Sequence, residues 1–406
     1  MKHFKGYFDK KNTDCQIIPS DLLNISNKIK SNPLPWNGQF SPQLVQVLLQ
    51  TFAKTGNVIF DPFLGSGTTF LETAELSLEA YGTEINYAAI SLSRIYQFAN
   101  VEFPNRVVIL NELENQLIEH GVLYNADLFS VGNISPVIVI ERILETNIGL
   151  KKILVEAFII LIDLYKQDFS SRWIDSKWKK LKELVLSLPV TQKSILPLQE
   201  DARKTSIQSS TVDLVITSPP YINVFNYHQQ YRSSAEYLNG SVLPVAQAEI
   251  GSNRKNRGNR LYTVVQYCLD MAQVFFELSR VCKKNARMIF VVGRESSVRK
   301  TAFYNGEIIT EIACRALGMD FVLKQERVFT NRFGQNIYED ILHFKNNKTI
   351  SENWLDVARQ ISLEVLKSVK NTCPAETIID LEDAISKVDT LQPSTIYMQS
   401  KKEVLV

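Results

Sequence analysis

Short apolar runs alternate with longer amphipathic segments along most of this chain. Between Tyr262 and Val281, apolar residues recur at the three- and four-residue spacing of one helix face. This alternation is typical of an α/β fold built on a mostly parallel sheet. We predict a seven-stranded sheet, with strands at Asn57–Asp61, Ala80–Glu84, Ile195–Gln199, Asp213–Thr217, Arg287–Gly293, Gln325–Thr330 and Tyr338–Phe344.

The spacing of these strands divides the chain into four parts. The stretch between the second and third strands far exceeds the ~10–20 residues that a crossover with its helix needs. We therefore predict a helical insert within a single core. The predicted parts are the first core segment at 1–100, the insert at 101–194, the second core segment at 195–346 and a C-terminal helical tail at 347–406, the end of which we expect to be weakly ordered.

The composition is that of a soluble globular protein, with 45% hydrophobic and 22% charged residues and a formal net charge of +2. Five cysteines without a CxxC pair indicate reduced thiols in a cytoplasm and argue against a disulfide or zinc framework. The four histidines are dispersed, so we expect no metal. The most apolar run, Ile153–Ile162, is too short to span a bilayer, and no secretory signal pattern opens the chain, so we expect no membrane association.

A glycine-rich loop follows the first predicted strand. The sequence Asp-Pro-Phe-Leu-Gly-Ser-Gly-Thr-Thr begins at Asp61 and leads into a predicted helix. Gly65 and Gly67 allow a sharp turn and a close approach of a ligand to the backbone. Glu84 ends the next strand about twenty residues later, where doubly wound folds place an acid on ribose hydroxyls. The missing third glycine argues against a dinucleotide with its pyrophosphate.

A second motif, Ser218-Pro219-Pro220-Tyr221, follows the apolar strand Asp213–Thr217. Prolines cannot continue a sheet ladder, so the chain must leave the sheet as a stiff loop. The serine offers a hydroxyl, the first proline keeps a carbonyl acceptor without an N–H, and the tyrosine offers a flat face for stacking. Taken alone, the tetrapeptide would better fit an ordinary Pro-Pro turn with a tyrosine at its rim, but its place at a strand end, downstream of the glycine loop, favours a binding loop.

The two motifs together resemble the DNA amino-methyltransferase family, which moves a methyl group from S-adenosyl-L-methionine to an exocyclic base nitrogen. The resemblance also includes Phe40-Ser-Pro-Gln-Leu44, and it covers residues 34–96 and 196–344. It implies a class I, Rossmann-like methyltransferase fold and S-adenosyl-L-methionine as cofactor. One departure is Lys283–Arg287, where relatives usually carry Lys-Pro-Gly-Gly; that turn is remote from the chemistry.

The same resemblance implies roles for individual residues. Glu84 would bind the ribose, and Asp201 would face the adenine amine. A flipped-out base would be held by the catalytic residues Ser218, Pro219, Pro220 and Tyr221. The rest of the cofactor, chiefly its methionine moiety, would lie against Phe40, Ser41, Pro42, Asp61, Phe63, Gly65, Ser66, Gly67 and Thr68.

The base that would be methylated follows less directly. A serine before Pro-Pro-Tyr is commoner among the family's cytosine-N4 enzymes, whereas Asp or Asn is commoner among adenine-N6 enzymes, so we expect cytosine N4 and keep adenine N6 as an alternative. RNA guanine-N2 methylation uses a similar loop, and a non-catalytic DNA-recognition subunit could keep this fold. Carbon-5 methylation of cytosine needs a nucleophilic cysteine, which follows a proline in that family, and no Pro-Cys dipeptide occurs here.

A basic loop lies between Ser218–Tyr221, which we call the catalytic motif after the role that the resemblance implies, and the next helix. Gly251–Arg260 carries four cationic side chains and no acid, namely Arg254, Lys255, Arg257 and Arg260. Cationic side chains in a Gly/Asn loop can contact phosphates, so we expect this loop to bind double-stranded DNA. Arg172–Lys180 in the insert is a second candidate for recognition, although its two tryptophans could equally join helices. From the resemblance alone we expect a cytoplasmic prokaryotic protein, with a cognate restriction endonuclease as its functional partner.

Overall fold

The computed structural model describes residues 6–124, 136–163, 170–223, 226–238, 240–252, 256, 258–331, 333–347 and 349–398. The strands are β1 Val58–Asp61, β2 Glu79–Thr83, β3 Ile195–Leu198, β4 Val212–Thr217, β5 Cys282–Gly293, β6 Glu295–Val298, β7 Thr301–Tyr304, β8 Asp320–Thr330 and β9 Asn336–Lys345. Among the described residues, seven of these form one sheet in the order β3-β2-β1-β4-β5-β9-β8. Strands β1 to β5 are parallel, and β9 is antiparallel to both β5 and β8. The prediction of a mostly parallel seven-stranded α/β sheet is confirmed.

The α-helices are α1 Ser20–Asn24, α2 Pro42–Phe52, α3 Thr68–Glu75, α4 Tyr87–Ser93, α5 Phe103–Glu119, α6 Pro136–Thr146, α7 Gly149–Ile162, α8 Ser171–Ser187, α9 Arg232–Tyr237, α10 Val242–Ala248, α11 Tyr262–Val281, α12 Asn305–Glu311, α13 Trp354–Ser368 and α14 Ile378–Ser386. Shorter 3₁₀ segments lie at Tyr7–Lys10, Arg94–Asn100, Tyr227–Gln229 and Ala375–Thr377, and a π-helical turn follows α12 at Ile312–Ala316. No helix in the described ranges is both long and apolar enough to cross a membrane.

The sheet is buried on both faces, which explains why its strands are apolar runs rather than alternating ones. Adjacent residues of β1 point to opposite sides: Ile59 belongs to one buried cluster and Phe60 to the other. The first cluster includes side chains of α2, α4, α7 and α8, and the second those of α11, α12, α13 and α14. Both clusters fix the strands in register, so the strand ends are rigid supports for the loops that follow them.

Helices α5 to α8 occupy the region that we predict as an insert. The Trp178 ring is fully buried and packs edge-on against Phe158, with ring centroids 5.5 Å apart, and its Nε1 donates to Glu114 at 2.9 Å. Trp173 Nε1 donates to the Ile162 carbonyl at 3.1 Å. The two tryptophans therefore join helices of this region to one another, while Lys179, next to Trp178, stays exposed.

The carboxyl ends of β1, β2, β3 and β4 meet at one edge of the sheet because these strands are parallel neighbours. In open α/β sheets, ligands bind outside this edge. The glycine-rich loop follows β1, Glu84 follows β2, Asp201 lies beyond β3, and Ser218 follows β4. The topology thus collects residues that are more than 150 positions apart in sequence (Asp61 and Thr217 are 156 apart).

Candidate active site

A pocket opens at this edge of the sheet. The described residues that line it come from the loop before α2, the glycine-rich loop, the ends of β2 and β3, the catalytic motif and the region of α10. Of the predicted site residues, the lining includes Phe40, Asp61, Phe63, Gly65, Ser66, Thr68, Glu84, Asp201, Ser218 and Pro220. Ser41 precedes α2 and Pro42 opens it, Gly67 turns the backbone into α3, and Pro219 is buried beside the pocket.

The glycine-rich loop has a conformation that requires glycine at one position above all. Gly67 has φ +94°, and a Cβ added there would lie 2.7 Å from the ring of Tyr96, which is 1% exposed. Gly65 also has a positive φ, +54°, but an added Cβ would only reach ordinary contact, 3.6 Å from Trp36. The loop therefore leaves no room for a side chain on its inner side at residue 67, and α3 starts directly after it.

The hydroxyl groups of this loop bind the segment that precedes α2. Ser66 Oγ accepts a hydrogen bond from Gln39 Nε2 at 2.9 Å, and Thr68 Oγ1 donates to Asn32 Oδ1 at 2.8 Å. Asn32 Nδ2 also donates to the Phe40 carbonyl at 2.8 Å. These bonds hold Phe40 at the pocket, so Ser66 and Thr68 organise the pocket wall in addition to lining it.

Asp61 connects the glycine-rich loop with the end of β4, the strand that leads into Ser218. Its carboxylate is 2% exposed and accepts hydrogen bonds from Thr69 Oγ1 at 2.6 Å, Thr217 Oγ1 at 2.7 Å and the Phe63 amide at 3.1 Å. Burial raises the pKa of Asp61 to about 6, and these hydrogen bonds oppose the rise. Since Thr217 immediately precedes Ser218, Asp61 fixes the start of the catalytic motif relative to the glycine-rich loop.

Glu84 is the buried acid at the end of β2. One carboxylate oxygen accepts from the Gly65 amide at 3.1 Å and the other from the Asn86 amide at 2.7 Å. Burial raises the pKa of Glu84 to about 7, against the effect of these two hydrogen bonds. Asn86 in turn caps α4 and donates from Nδ2 to the Tyr227 carbonyl at 3.0 Å. Glu84 thus has unused acceptor capacity on a wall of the pocket, as binding of a ribose requires.

Asp201 has a different environment from the one we expected. Its Oδ1 accepts from the Arg203 amide at 3.0 Å and Arg203 Nε at 2.8 Å, and its Oδ2 from Arg203 Nη2 at 2.7 Å and the Tyr397 amide at 2.8 Å. These four hydrogen bonds occupy the roughly four acceptor sites of a carboxylate. We therefore revise the expected role of Asp201: it orders the pocket wall and has no free acceptor left for an adenine amine.

The catalytic motif is held at both of its ends. Ser218 Oγ lies 3.4 Å from Tyr221 Oη, within a weak hydrogen bond. The Tyr221 ring packs on Gly293 at the end of β5, where an added Cβ would lie 2.8 Å from the ring, and burial raises the pKa of this tyrosine. Gly251 has a φ of +71°, and a Cβ added to it would lie 2.5 Å from the carbonyl oxygen of Tyr221. Tyr221 therefore supports Ser218 from behind and is not itself a lining residue of the pocket.

Three of the four predicted DNA-binding residues, Arg254, Lys255 and Arg257, lie outside the described residues. Arg260 is exposed just before α11. Its neighbour Asn259 is buried and donates from Nδ2 to Asp383 Oδ2 at 2.9 Å, which ties this end of the basic loop to α14.

The charge of the pocket suits a cationic ligand. Five of its lining residues are acids, and none of those described is Lys, Arg or His. The acids are Asp61, Glu84, Glu200, Asp201 and Glu249. Sequence reasoning missed Glu249, which lies two residues before Gly251 and binds the His228 ring nitrogen Nδ1 at 2.7 Å. Asp201 is paired with Arg203 and the raised pKa of Glu84 reduces its charge near neutral pH, but because the lining has acids and no cation, it favours sulfonium and ammonium groups over phosphate groups. Nowhere in the described chain do three His, Cys, Asp or Glu side chains group to hold a metal ion.

Comparisons with known proteins agree with these features. The family model for N6/N4 amino-methyltransferases, described as "DNA methylase", matches residues 7–94, a range that contains the glycine-rich loop and Glu84. The chain is 40% identical over 52 residues to the type II methyltransferase M.MjaII of Methanocaldococcus jannaschii, a match that spans 13% of this chain and only 10% of that protein. It is 22% identical over 432 aligned residues to the type II methyltransferase M.BsoBI of Geobacillus stearothermophilus, over 75% of this chain and 81% of that protein.

Among solved structures, a SAM-dependent methyltransferase from Methanosarcina mazei aligns with 73% of this chain and 96% of its own, at 11% identity and a TM-score of 0.32. The sheet order given above, rather than this superposition, defines the fold. The sulfonium and ammonium charges of S-adenosyl-L-methionine fit the acidic pocket, and the glycine-rich loop and Glu84 are the residues that would hold it. The family match and the two relatives thus support a DNA amino-methyltransferase family for this chain, with S-adenosyl-L-methionine as its cofactor.

Proposed function

We propose that this protein is a site-specific DNA methyltransferase that methylates the exocyclic N4 of cytosine in duplex DNA. The observation that carries the proposal is that Ser218 and Pro220 line the same pocket as Gly65 and Glu84. A base amine at the catalytic motif and a cofactor at the glycine-rich loop would then share one cavity, which direct transfer between them requires.

The cofactor supplies an electrophilic methyl group; the protein supplies position and electrostatics. Ser218 Oγ would accept a hydrogen bond from the base amine, and the Pro219 carbonyl is a second acceptor nearby in sequence. Hydrogen bonds of this kind draw the amine toward a tetrahedral geometry and expose its lone pair. The Tyr221 hydroxyl, which is protonated at neutral pH like any phenol, can donate to Ser218 Oγ, and this bond would fix the direction of the serine's remaining lone pair.

The target base must leave the duplex to enter this pocket, so the proposal includes base flipping. The choice of cytosine N4 rests on the serine at position 218, which offers a single hydroxyl contact. An adenine-N6 enzyme would use the same pocket and the same arrangement of loops. The two targets therefore differ in the methylated nucleoside and not in the mechanism.

DNA would lie over the open side of the catalytic motif. We propose that Arg254, Lys255, Arg257 and the exposed Arg260 contact its phosphates. Two relatives of this chain are type II methyltransferases, and we propose that it too serves a restriction-modification system, with a restriction endonuclease of the same specificity as its functional partner.

Transfer of a labelled methyl group from S-adenosyl-L-methionine to different polymers tests the proposal. The substrates are unmodified bacterial duplex DNA, the same DNA as single strands, and bacterial RNA. We expect label in duplex DNA and much less label with Ser218→Ala under the same conditions. Label in RNA alone would favour the guanine-N2 alternative, and cofactor binding without transfer to any polymer would favour a non-catalytic subunit.

A further inference from the structure

The end of the described chain lies against the pocket. We call residues 392–397, which follow α14 without forming a helix, the C-terminal strap. Ser394 and Tyr397 in it are buried, at 6% and 8% exposure. The sequence predicts weak order only for the last stretch of the tail, and residues 392–397 make the contacts described below.

A buried charge network fastens the strap to the core. The Arg203 side chain is 0% exposed, and it bridges Asp201 and Asp270, whose nearest oxygens lie 2.7 Å and 3.0 Å away. Arg203 also donates to the carbonyls of Ser394 and Thr395, both at 2.9 Å. A buried guanidinium is stable only when its donors are satisfied, and two of the acceptors come from the strap.

The strap binds the acids of this network as well. The Ser394 amide donates to Asp270 Oδ1 at 2.7 Å, and the Tyr397 amide donates to Asp201 Oδ2 at 2.8 Å. Asp201 is a lining residue of the pocket. The strap therefore contacts a pocket wall directly, through the Asp201 carboxylate, for which the family resemblance implies a contact with the adenine amine.

Tyr397 extends this contact into the apolar part of the wall. Its ring belongs to a small buried cluster with Val245, Ala248 and the partly buried Ile85, and all three of these partners line the pocket. Its hydroxyl accepts a hydrogen bond from Gln199 Nε2 at 3.1 Å. Ile85 directly follows Glu84, so the cluster lies beside the proposed ribose site, where a purine ring would meet an apolar surface.

We propose that the C-terminal strap is part of the cofactor site and that Tyr397 is a positioning residue for the adenosine half of S-adenosyl-L-methionine. Tyr397 acts from outside the pocket by holding Ile85, Val245 and Ala248 in place. The strap with Arg203 also keeps Asp201 from rotating. A tail that is distant in sequence thereby sets the affinity of the pocket for a nucleoside.

Equilibrium binding to the full-length protein tests this proposal. Calorimetry would give the Kd of S-adenosyl-L-methionine, S-adenosyl-L-homocysteine and adenosine for the wild type, Tyr397→Ala, Tyr397→Phe and Val388→Ala. Val388 is a matched control, because it lies in the same tail and is 2% exposed. It packs in the large buried cluster that includes α11 and α13, and not in the small cluster of Tyr397. We expect Tyr397→Ala to raise all three Kd values about tenfold, Tyr397→Phe to restore most of the affinity, and Val388→Ala to leave it unchanged despite a loss of stability.

Unchanged Kd values for folded Tyr397→Ala would overturn the proposal. An equal rise of the Kd values for Val388→Ala would also overturn it, because it would show that any destabilisation of the tail weakens binding. The inference rests on the pocket's being the cofactor site of the proposed function. Since the measurement is binding rather than methylation, a wild type that binds cofactor but methylates no DNA would refute the proposed function and leave this test intact.

Discussion

The inner side of the glycine-rich loop gives the most quantitative prediction. Gly67→Ala would place a Cβ 2.7 Å from the Tyr96 ring and 3.1 Å from Ser93 Cβ, at a φ of +94°. The left-handed backbone costs a side chain about 1–2 kcal/mol, and forcing a methyl group into a packed site costs about 1–3 kcal/mol more. Tyr96 is 1% exposed and has little freedom to move aside. We expect Gly67→Ala to lower the free energy of unfolding by about 2–5 kcal/mol.

Gly65→Ala is the matched control, because it has the same kind of backbone without the overlap. Its φ is +54° and its nearest neighbour, Trp36, lies at ordinary contact distance, 3.6 Å. Only the backbone cost of about 1–2 kcal/mol applies. Urea unfolding of both variants, with the slopes checked for equality, measures the difference. Equal losses, or a larger loss for Gly65→Ala, would refute the packing that we describe around residue 67.

Three further predictions concern the acids and the catalytic motif. Thr217→Val removes a hydrogen-bond donor to the buried Asp61 and should lower the free energy of unfolding in urea by about 1.5–3 kcal/mol. Thr217→Ser keeps the hydroxyl and should cost less. Equal costs for the two variants would contradict the hydrogen bond between Thr217 and Asp61. Burial raises the pKa of Asp61 to about 6 and of Glu84 to about 7, so the free protein should lose unfolding free energy as the pH rises through these values. The stabilisation by S-adenosyl-L-methionine should grow over the same pH range. A stabilisation by S-adenosyl-L-methionine that shrinks toward high pH would contradict this prediction. Ser218→Ala should lower single-turnover methyl transfer and leave cofactor Kd nearly unchanged, and an equal loss of both would place Ser218 in the cofactor site instead.

The sheet and the two motif loops could be predicted because their signals are local. Each signal depends on a few neighbouring residues: an apolar run that is buried on both faces of the sheet, a glycine that adopts a positive φ, or a proline that ends a strand's hydrogen bonding. The hairpin β6–β7 could not be predicted in this way. Its turn residues Arg299 and Lys300 have φ of 53° and 58°, values that usually call for Asn or Gly, so the sequence carries no turn signal there.

The role of Asp201 could not be predicted for another reason. Its partners include Tyr397, 196 residues away, and Arg203 joins it to Asp270, 67 residues from Arg203. Such contacts depend on how complete elements pack, and no spacing in the sequence encodes them. The Asp201-Ala202-Arg203 pairing at a spacing of two was the one local signal, because it lets the arginine bind its own neighbouring acid.

Identification of the methylated nucleoside tests the central claim most directly. Unmodified duplex DNA would be incubated with the protein and methyl-labelled S-adenosyl-L-methionine, digested to nucleosides and analysed by mass spectrometry. We predict labelled N4-methylcytosine. Labelled N6-methyladenine would keep the mechanism and overturn the choice of base, and label at carbon 5 of cytosine, or none in DNA, would contradict transfer to an exocyclic amine at Ser218.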